Sequence, residues 1–225
     1  MPPAVLASLL PHARRAGRAL ALGLVLAVAT PHAADRLRMQ QAAERLGPRA
    51  QAALPALLSA MQQAAGQDDE AQLDTINGFF NRRIVFADDG AVWGRDDHWA
   101  SPMELLDQGR GDCEDYAIAK YFTLVALGVP VAKLRLVYVR AQIGGVSQAH
   151  MVLAYYASAG AEPLILDNLI TSVRPASRRP DLAPVFSFNG EGLWQGAGAQ
   201  SAGDPLARLS PWREVIAKAR AEGFF

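Results

Sequence analysis

The sequence predicts an α+β protein in which N-terminal helices precede a central helix packed on an antiparallel sheet. Three observations carry this expectation. Apolar residues recur at helical spacing in separate stretches between Leu37 and Leu127, and alternating, β-branched stretches follow from Leu134 onward, so a run of helices gives way to a run of adjacent strands. The segment after Cys113 is apolar over most of a helical circumference (Tyr116, Ala117, Ile118, Tyr121, Phe122, Leu124, Val125, Leu127), which marks a buried central helix. The chain's one cysteine opens that helix, behind Gly109 and Gly111.

Residues 1–34 read as a secretory signal peptide. Arg14, Arg15 and Arg18 precede the apolar run Ala19 to Ala29, and small residues follow, with cleavage matches after Ala27-Val28-Ala29 or Ala33-Ala34. Eleven residues fall short of the roughly 20 a membrane-spanning helix needs, which disfavours an uncleaved anchor. The remainder, 35–225, suits one domain, with 51% apolar residues over the whole chain supplying its core. The 22 basic and 22 acidic residues balance overall. Without the three arginines of the leader, 19 basic face 22 acidic, a net charge of −3 with no basic stripe, which excludes a nucleic-acid binder.

From Asp35 to Ala65, Leu37, Met39, Leu46, Leu54, Leu57, Leu58 and Met61 predict helix, interrupted near Gly47-Pro48 and again near Leu54-Pro55. Asp68 or Asp69 caps a second helix to about Arg83, its core stripe formed by Leu73, Ile76, Phe79, Phe80 and Ile84. Val85 to Pro102 is expected as a loop dense in aromatics and acids. Its acids miss the spacing of an EF-hand, which argues against a dedicated calcium loop there. Ser101-Pro102-Met103-Glu104 opens a short helix, with Glu104 expected one residue early for a full capping box, and the helix ends near Gly109. Gly128 and Pro130 stop the central helix. Strands are expected at Leu134–Val139, His150–Tyr156 and Leu164–Asp167, the last two joined through Ser158-Ala159-Gly160-Ala161. Beyond Thr171 the signals weaken: a strand at Val185–Phe188, a turn at Asn189–Gly192, a mobile loop at Gly196–Gly203, and a last helix from Pro211 to about Ala221.

Chemistry centres on Cys113. Exposed N–H groups at a helix start favour the thiolate and lower such thiols from about 8.5 into the range of roughly 3.5–7.5. An oxidising compartment pairs structural cysteines, and a lone cysteine has no internal partner, so it points to a nucleophile rather than a staple. A thiolate needs a base, and outside the leader the choice lies between His98 and His150. With the hairpin closed around Ala159-Gly160, Asp167 falls opposite Val152, on the same face as His150 and one diagonal step away, close enough for its carboxylate to hold the imidazole Nδ1.

The run Asp112-Cys113-Glu114-Asp115-Tyr116-Ala117-Ile118-Ala119-Lys120-Tyr121-Phe122, with Ala149-His150-Met151-Val152-Leu153, Leu166-Asp167-Asn168 and the upstream Asp97-His98-Trp99-Ala100-Ser101-Pro102, resembles the bacterial transglutaminase-like cysteine proteases of the LapG type. The resemblance covers about Leu73 to Trp194. It implies a papain-like or transglutaminase-like fold and a periplasmic protease with Cys113, His150 and Asp167 as its triad. It implies dependence on Ca²⁺, with Asp112 and Glu114 as principal ligands and Asp115 assisting. It also implies a large surface adhesin as substrate, cut near its N-terminus to release biofilm cells, and sequestration by an inner-membrane receptor that responds to cyclic di-GMP. Carboxylate oxygens suit a hard cation, and a cation would explain three acids beside a thiolate; without one they raise the thiol pKa. Trp99 is the candidate for a second oxyanion donor, beside the Cys113 backbone N–H. Two rival readings stand against hydrolysis: transamidation through the same acyl-enzyme, and a calcium-dependent binding module without catalysis.

Overall fold

In the computed structural model, Met1 and residues 35–225 are described. The leader reading at 1–34 therefore lies outside the described residues, apart from Met1. The chain divides into units Met1–Thr30 and Pro31–Phe225, and every helix and strand among the described residues belongs to the second.

The side chain of Asp35 accepts from the N–H groups of Leu37 and Arg38 and starts α1 (Arg36–Leu46). Gly47 breaks the path at φ 140°, and Pro48 opens α2 (Pro48–Ala64). The second interruption expected at Leu54-Pro55 does not occur: α2 runs through Pro55. Pro55 and Gln51, whose carbonyl loses its helical donor there, are both exposed, which leaves that group open to solvent. Asp68 caps α3 (Asp69–Arg83), whose Leu73, Ile76, Phe79 and Phe80 are buried as the spacing requires.

The segment expected as a loop after Ile84 is partly ordered. It holds β1 (Val85–Phe86) and a single turn, α4 (Asp89–Val92). In α5 (Pro102–Gln108) the capping box is complete, correcting the expected misfit: Ser101 is the cap, Glu104 the third helical residue, and each side chain bonds the other's N–H. Buried Glu222 also accepts from the Ser101 hydroxyl and, at 3.3 Å, from the Met103 N–H, tying the C-terminus to the start of α5.

β2 (Arg110–Gly111) pairs in parallel with β1, drawing the acid-rich loop alongside the approach to Cys113. A Cβ at Gly111 would stand 2.5 Å from Asp115 Oδ2 and 2.6 Å from Leu105 Cδ1, so this close approach admits glycine alone. α6 (Cys113–Ala126) follows, buried from Asp115 to Leu124.

A hairpin of β3 (Leu134–Ile143) and β4 (Val146–Tyr155) extends the sheet beyond the predicted strands, turning at Gly144-Gly145. β5 (Leu164–Leu166), β6 (Arg174–Pro175), β7 (Leu182–Phe188), β8 (Leu193–Gln195) and β9 (Ser201–Gly203) complete it. The order is β6-β5-β4-β3-β7-β8-β9, antiparallel throughout. β9 pairs with β8 inside the stretch expected to be a mobile loop. The short α7 (Pro205–Arg208) leads to α8 (Ser210–Ala221), whose Trp212 stacks on Phe122 at 5.5 Å.

The sheet has two unequal faces. Leu134, Leu136, Met151, Leu153, Leu166 and Phe188 join the helices in the main core, with α6 against β4. Val137, Val139, Val152, Ala154 and Ile165 form a smaller core on the other side.

Candidate active site

Cys113 is the first residue of α6 and is half-buried against the main core. Its sulfur donates to Glu114 Oε2 at 3.0 Å, and the Met151 N–H is directed at it. Burial first, then the charges of Glu114 and Asp112, push the thiol far above its ordinary value. Burial and these acids together outweigh the helix start and hold the proton on sulfur.

The pairs Leu153↔Leu166, Ala154↔Ile165 and Tyr155↔Leu164 keep the register expected from the turn; β5 ends at Leu166, one residue short of the expected strand, and Asp167 follows it on the line of that register toward Val152. His150 Nε2 lies 2.8 Å from Asp167 Oδ1, both groups buried. The carboxylate thus takes Nε2 rather than the expected Nδ1, and Nδ1 is the nitrogen left for proton exchange. Asp167 Oδ1 also accepts from the N–H groups of Asn168 (2.7 Å) and Leu169 (3.2 Å). Its Oδ2 accepts from Arg179 Nη2 at 2.6 Å. Burial alone would raise this carboxyl; His150 and Arg179 outweigh it and hold it down at about 2. Asn81 on α3 steadies the corner by donating to the Asp167 carbonyl at 2.7 Å.

Arg179 and Lys120 escaped the sequence reading. Arg179 is 2% exposed and also grips Asp181, yet nothing in Ser177-Arg178-Arg179-Pro180 distinguishes it from its neighbour. Lys120 is fully buried on α6 with no hydrogen-bond partner for Nζ among the described residues; the Nζ lies 5.4 Å over the Tyr116 ring. Burial lowers its amine to about 7, against the pull of Asp167. Its place in a helix apolar nearly all round was the available signal.

Cys113, His150, Asp112, Glu114 and Trp99 line one cavity of about 400 Å³, with Phe86, Tyr138 and Phe186 among its aromatic walls. The Trp99 ring stacks on Phe188 at 5.7 Å, and its indole N–H donates to Asp97 Oδ1 at 3.1 Å. To serve a reacting oxygen, that N–H would have to leave Asp97. His98, the alternative base, does not line this cavity. Its ring packs on Trp93 with centroids 4.1 Å apart, and its Nε2 is 3.7 Å from Glu104.

Beside the sulfur the acids converge. Carboxylate oxygens of Asp89, Asp112 and Asp115 lie within 4.8 Å of one another, as do those of Asp89, Asp97 and Glu114. Asp89 and Asp97 come from the loop that EF-hand spacing had argued against. Buried Asp89 Oδ1 and Asp112 Oδ1 have no hydrogen-bond partner among the described residues. Both oxygens of Asp115 are engaged, accepting from the N–H groups of Ala100 (2.8 Å) and Asp112 (3.3 Å), so Asp115 braces the helix start. Burial and mutual repulsion raise Asp112 to about 9 and Asp115 to about 8, and raise Asp89 as well. Unpartnered, crowded carboxylate oxygens are the donor set of a hard divalent cation.

Residues 52–180 match the family described as bacterial transglutaminase-like cysteine proteinase BTLCP. Among solved structures, EGTA-treated LapG of Legionella pneumophila is 37% identical with a TM-score of 0.73, over 84% of this chain and 100% of that one. Calcium-bound Legionella pneumophila LapG is 38% identical with a TM-score of 0.70, over 81% of this chain and 98% of that one. None of the curated proteins matches this chain.

Proposed function

Since the chain belongs to the bacterial transglutaminase-like cysteine proteinases and is thus a cysteine protease, we propose that Cys113, His150 and Asp167 are its triad and that it cleaves peptides through a thioester. One observation carries this: nucleophile and imidazole line the same cavity, with the imidazole Nε2 held by a carboxylate whose two oxygens are both engaged. His150 Nδ1 takes the thiol proton as sulfur attacks the peptide carbonyl and the C–S bond forms. The carbonyl oxygen gains the negative charge and is met by the Cys113 N–H, one of the unpaired donors of a helix start. His150 then returns its proton to the departing amine as the C–N bond breaks. In the second half it takes a proton from water, whose oxygen displaces sulfur and frees the acid.

The same reading assigns Ca²⁺ to Asp89, Asp97, Asp112 and Glu114, with Asp115 bracing Asp112. Supporting it are the unpartnered oxygens and the likeness to a calcium-bound LapG. Bound there, Ca²⁺ would neutralise the charge that holds the proton on sulfur.

The proposal extends to the cell: a periplasmic endopeptidase that cuts a large surface adhesin near its N-terminus and is held back by an inner-membrane receptor responsive to cyclic di-GMP. Its support is the motif resemblance at Asp112–Phe122 and the signal-like residues 1–34. Incubating the protein with surface proteins of its own host and reading new N-termini tests it. A cut in a very large surface protein, absent with Cys113→Ser, is expected; cleavage that survives Cys113→Ser, or no cut in any such protein, overturns it.

A further inference from the structure

The hairpin that carries His150 leaves one edge bare beside the nucleophile. β3 and β4 close on Gly144 and Gly145, at φ 59° and 82°, with Ile143 opposite Val146 and no register shift along the pair. In such a turn the closing pair exchanges both hydrogen bonds, and antiparallel alternation then points the N–H and C=O groups of Ser147, Ala149, Met151 and Leu153 away from β3. Two contacts agree. Leu153 meets Leu166 of β5, and the Met151 N–H meets the Cys113 sulfur. On β4, β5 pairs with Leu153–Tyr155, so among the described residues Ser147 and Ala149 face no strand on that edge. Val146 to Ala149 are exposed, and Gln148 and Ala149 line the cavity.

Proteins protect long strand edges with lysine, proline, bulges or a covering loop. β4 is ten residues long, and Val146-Ser147-Gln148-Ala149 carries none of these side-chain or bulge defences. The bare stretch ends where the sulfur stands against Met151, in the place a neighbouring strand would occupy. An edge of this kind is a template for strand addition.

We propose that the protease takes its substrate as an added β-strand on the free edge of β4, with the N–H and C=O of Ala149 pairing with the substrate backbone and the following peptide delivered to Cys113. This rests on the reading of Cys113 and His150 as the reacting pair. The substrate class is set by the surroundings. Main-chain pairing demands an extended, unfolded stretch of polypeptide. Among the described residues the cavity wall holds no lysine or arginine, so an acidic side chain beside the cut finds no basic partner there.

Ala149→Pro removes one edge-facing N–H and none from the β3–β4 ladder. With a peptide that the wild type cleaves, kcat/KM is expected to fall about tenfold or more, the worth of one good backbone hydrogen bond, while Cys113 alkylation by iodoacetamide stays normal. Wild-type cleavage by this variant overturns the proposal. Amide exchange gives a second reading that does not depend on the variant: in Cys113→Ser, the Ser147 and Ala149 amides should slow when that peptide binds. Unchanged exchange at both, with the peptide bound, overturns it too. Cleavage that survives Cys113→Ser would instead sink the nucleophile assignment, and the exchange result would still decide the edge.

Discussion

On one side of Cys113 a buried carboxylate is surrounded by donors; on the other, carboxylates surround one another. Asp167 accepts from His150, Arg179 and two backbone N–H groups and is held down at about 2. Asp112 and Asp115, at the start of α6, are pushed to about 9 and 8. Burial acts on both sides in the same direction, so the difference comes from partners. The chain itself completes the His150 arm, whereas the acid cluster has no cationic side chain among the described residues to balance it and leaves that part to a cation from solution.

The contrast breaks most sharply at Asp167. Asp167→Asn removes the charge that orients and supports the imidazole, and kcat is expected to fall on the order of 10³-fold or more; a fall of less than tenfold would remove Asp167 from the triad. Arg179→Met leaves the Asp167 carboxylate buried without its cation, which costs about 3 kcal/mol or more by urea unfolding. A loss under about 1 kcal/mol would show that the pair is not a structural requirement.

The acid cluster should answer with opposite signs. Asp112→Asn relieves repulsion, so in EGTA the variant is expected to melt a few degrees above wild type, and in calcium below it. The pH dependence obeys the same logic. Carboxyls raised on folding bind more protons in the native state between their ordinary value near 3.8 and the raised values of about 8 and 9. In EGTA, stability contributed by this cluster therefore falls as pH rises through that window, and calcium flattens the fall. Asp167 runs the other way, its contribution full above about 3.8 and lost as pH drops toward about 2. Melting curves at pH 5 and pH 8, with and without calcium, check both signs; identical curves would contradict the cation assignment. The smallest effect belongs to Trp99→Phe, which keeps the stack on Phe188 and loses only the bond to Asp97. Activity within about threefold of wild type is expected, and a hundredfold loss would identify the indole as an oxyanion donor.

Local chemistry made the longer helices and one hairpin readable in advance, though not the single turns α4 and α7. The turn at Ser158–Ala161 and the alternation on either side pinned Asp167 opposite Val152, because a one-residue slip would have turned the apolar side chains out. What stayed hidden depended on distant contacts. Arg140, Gln142, Ser147 and Gln148 are polar, so the outer half of the β3–β4 hairpin lacked an apolar pattern despite its Gly-Gly turn. Asp89 and Asp97 join the cluster because a two-residue parallel pairing carries their loop to Arg110–Gly111, a link with no periodicity to detect. Which imidazole nitrogen meets Asp167 is likewise a matter of ring orientation rather than register.

Alkylation of Cys113 by iodoacetamide across pH, with calcium and with EGTA, tests most directly whether the acid cluster governs the thiol. With calcium the sulfur should react below pH 7, and with EGTA the profile should move well to the alkaline side. One profile in both conditions, titrating near about 8.5 as an ordinary thiol does, would contradict the link between the two sides of the site.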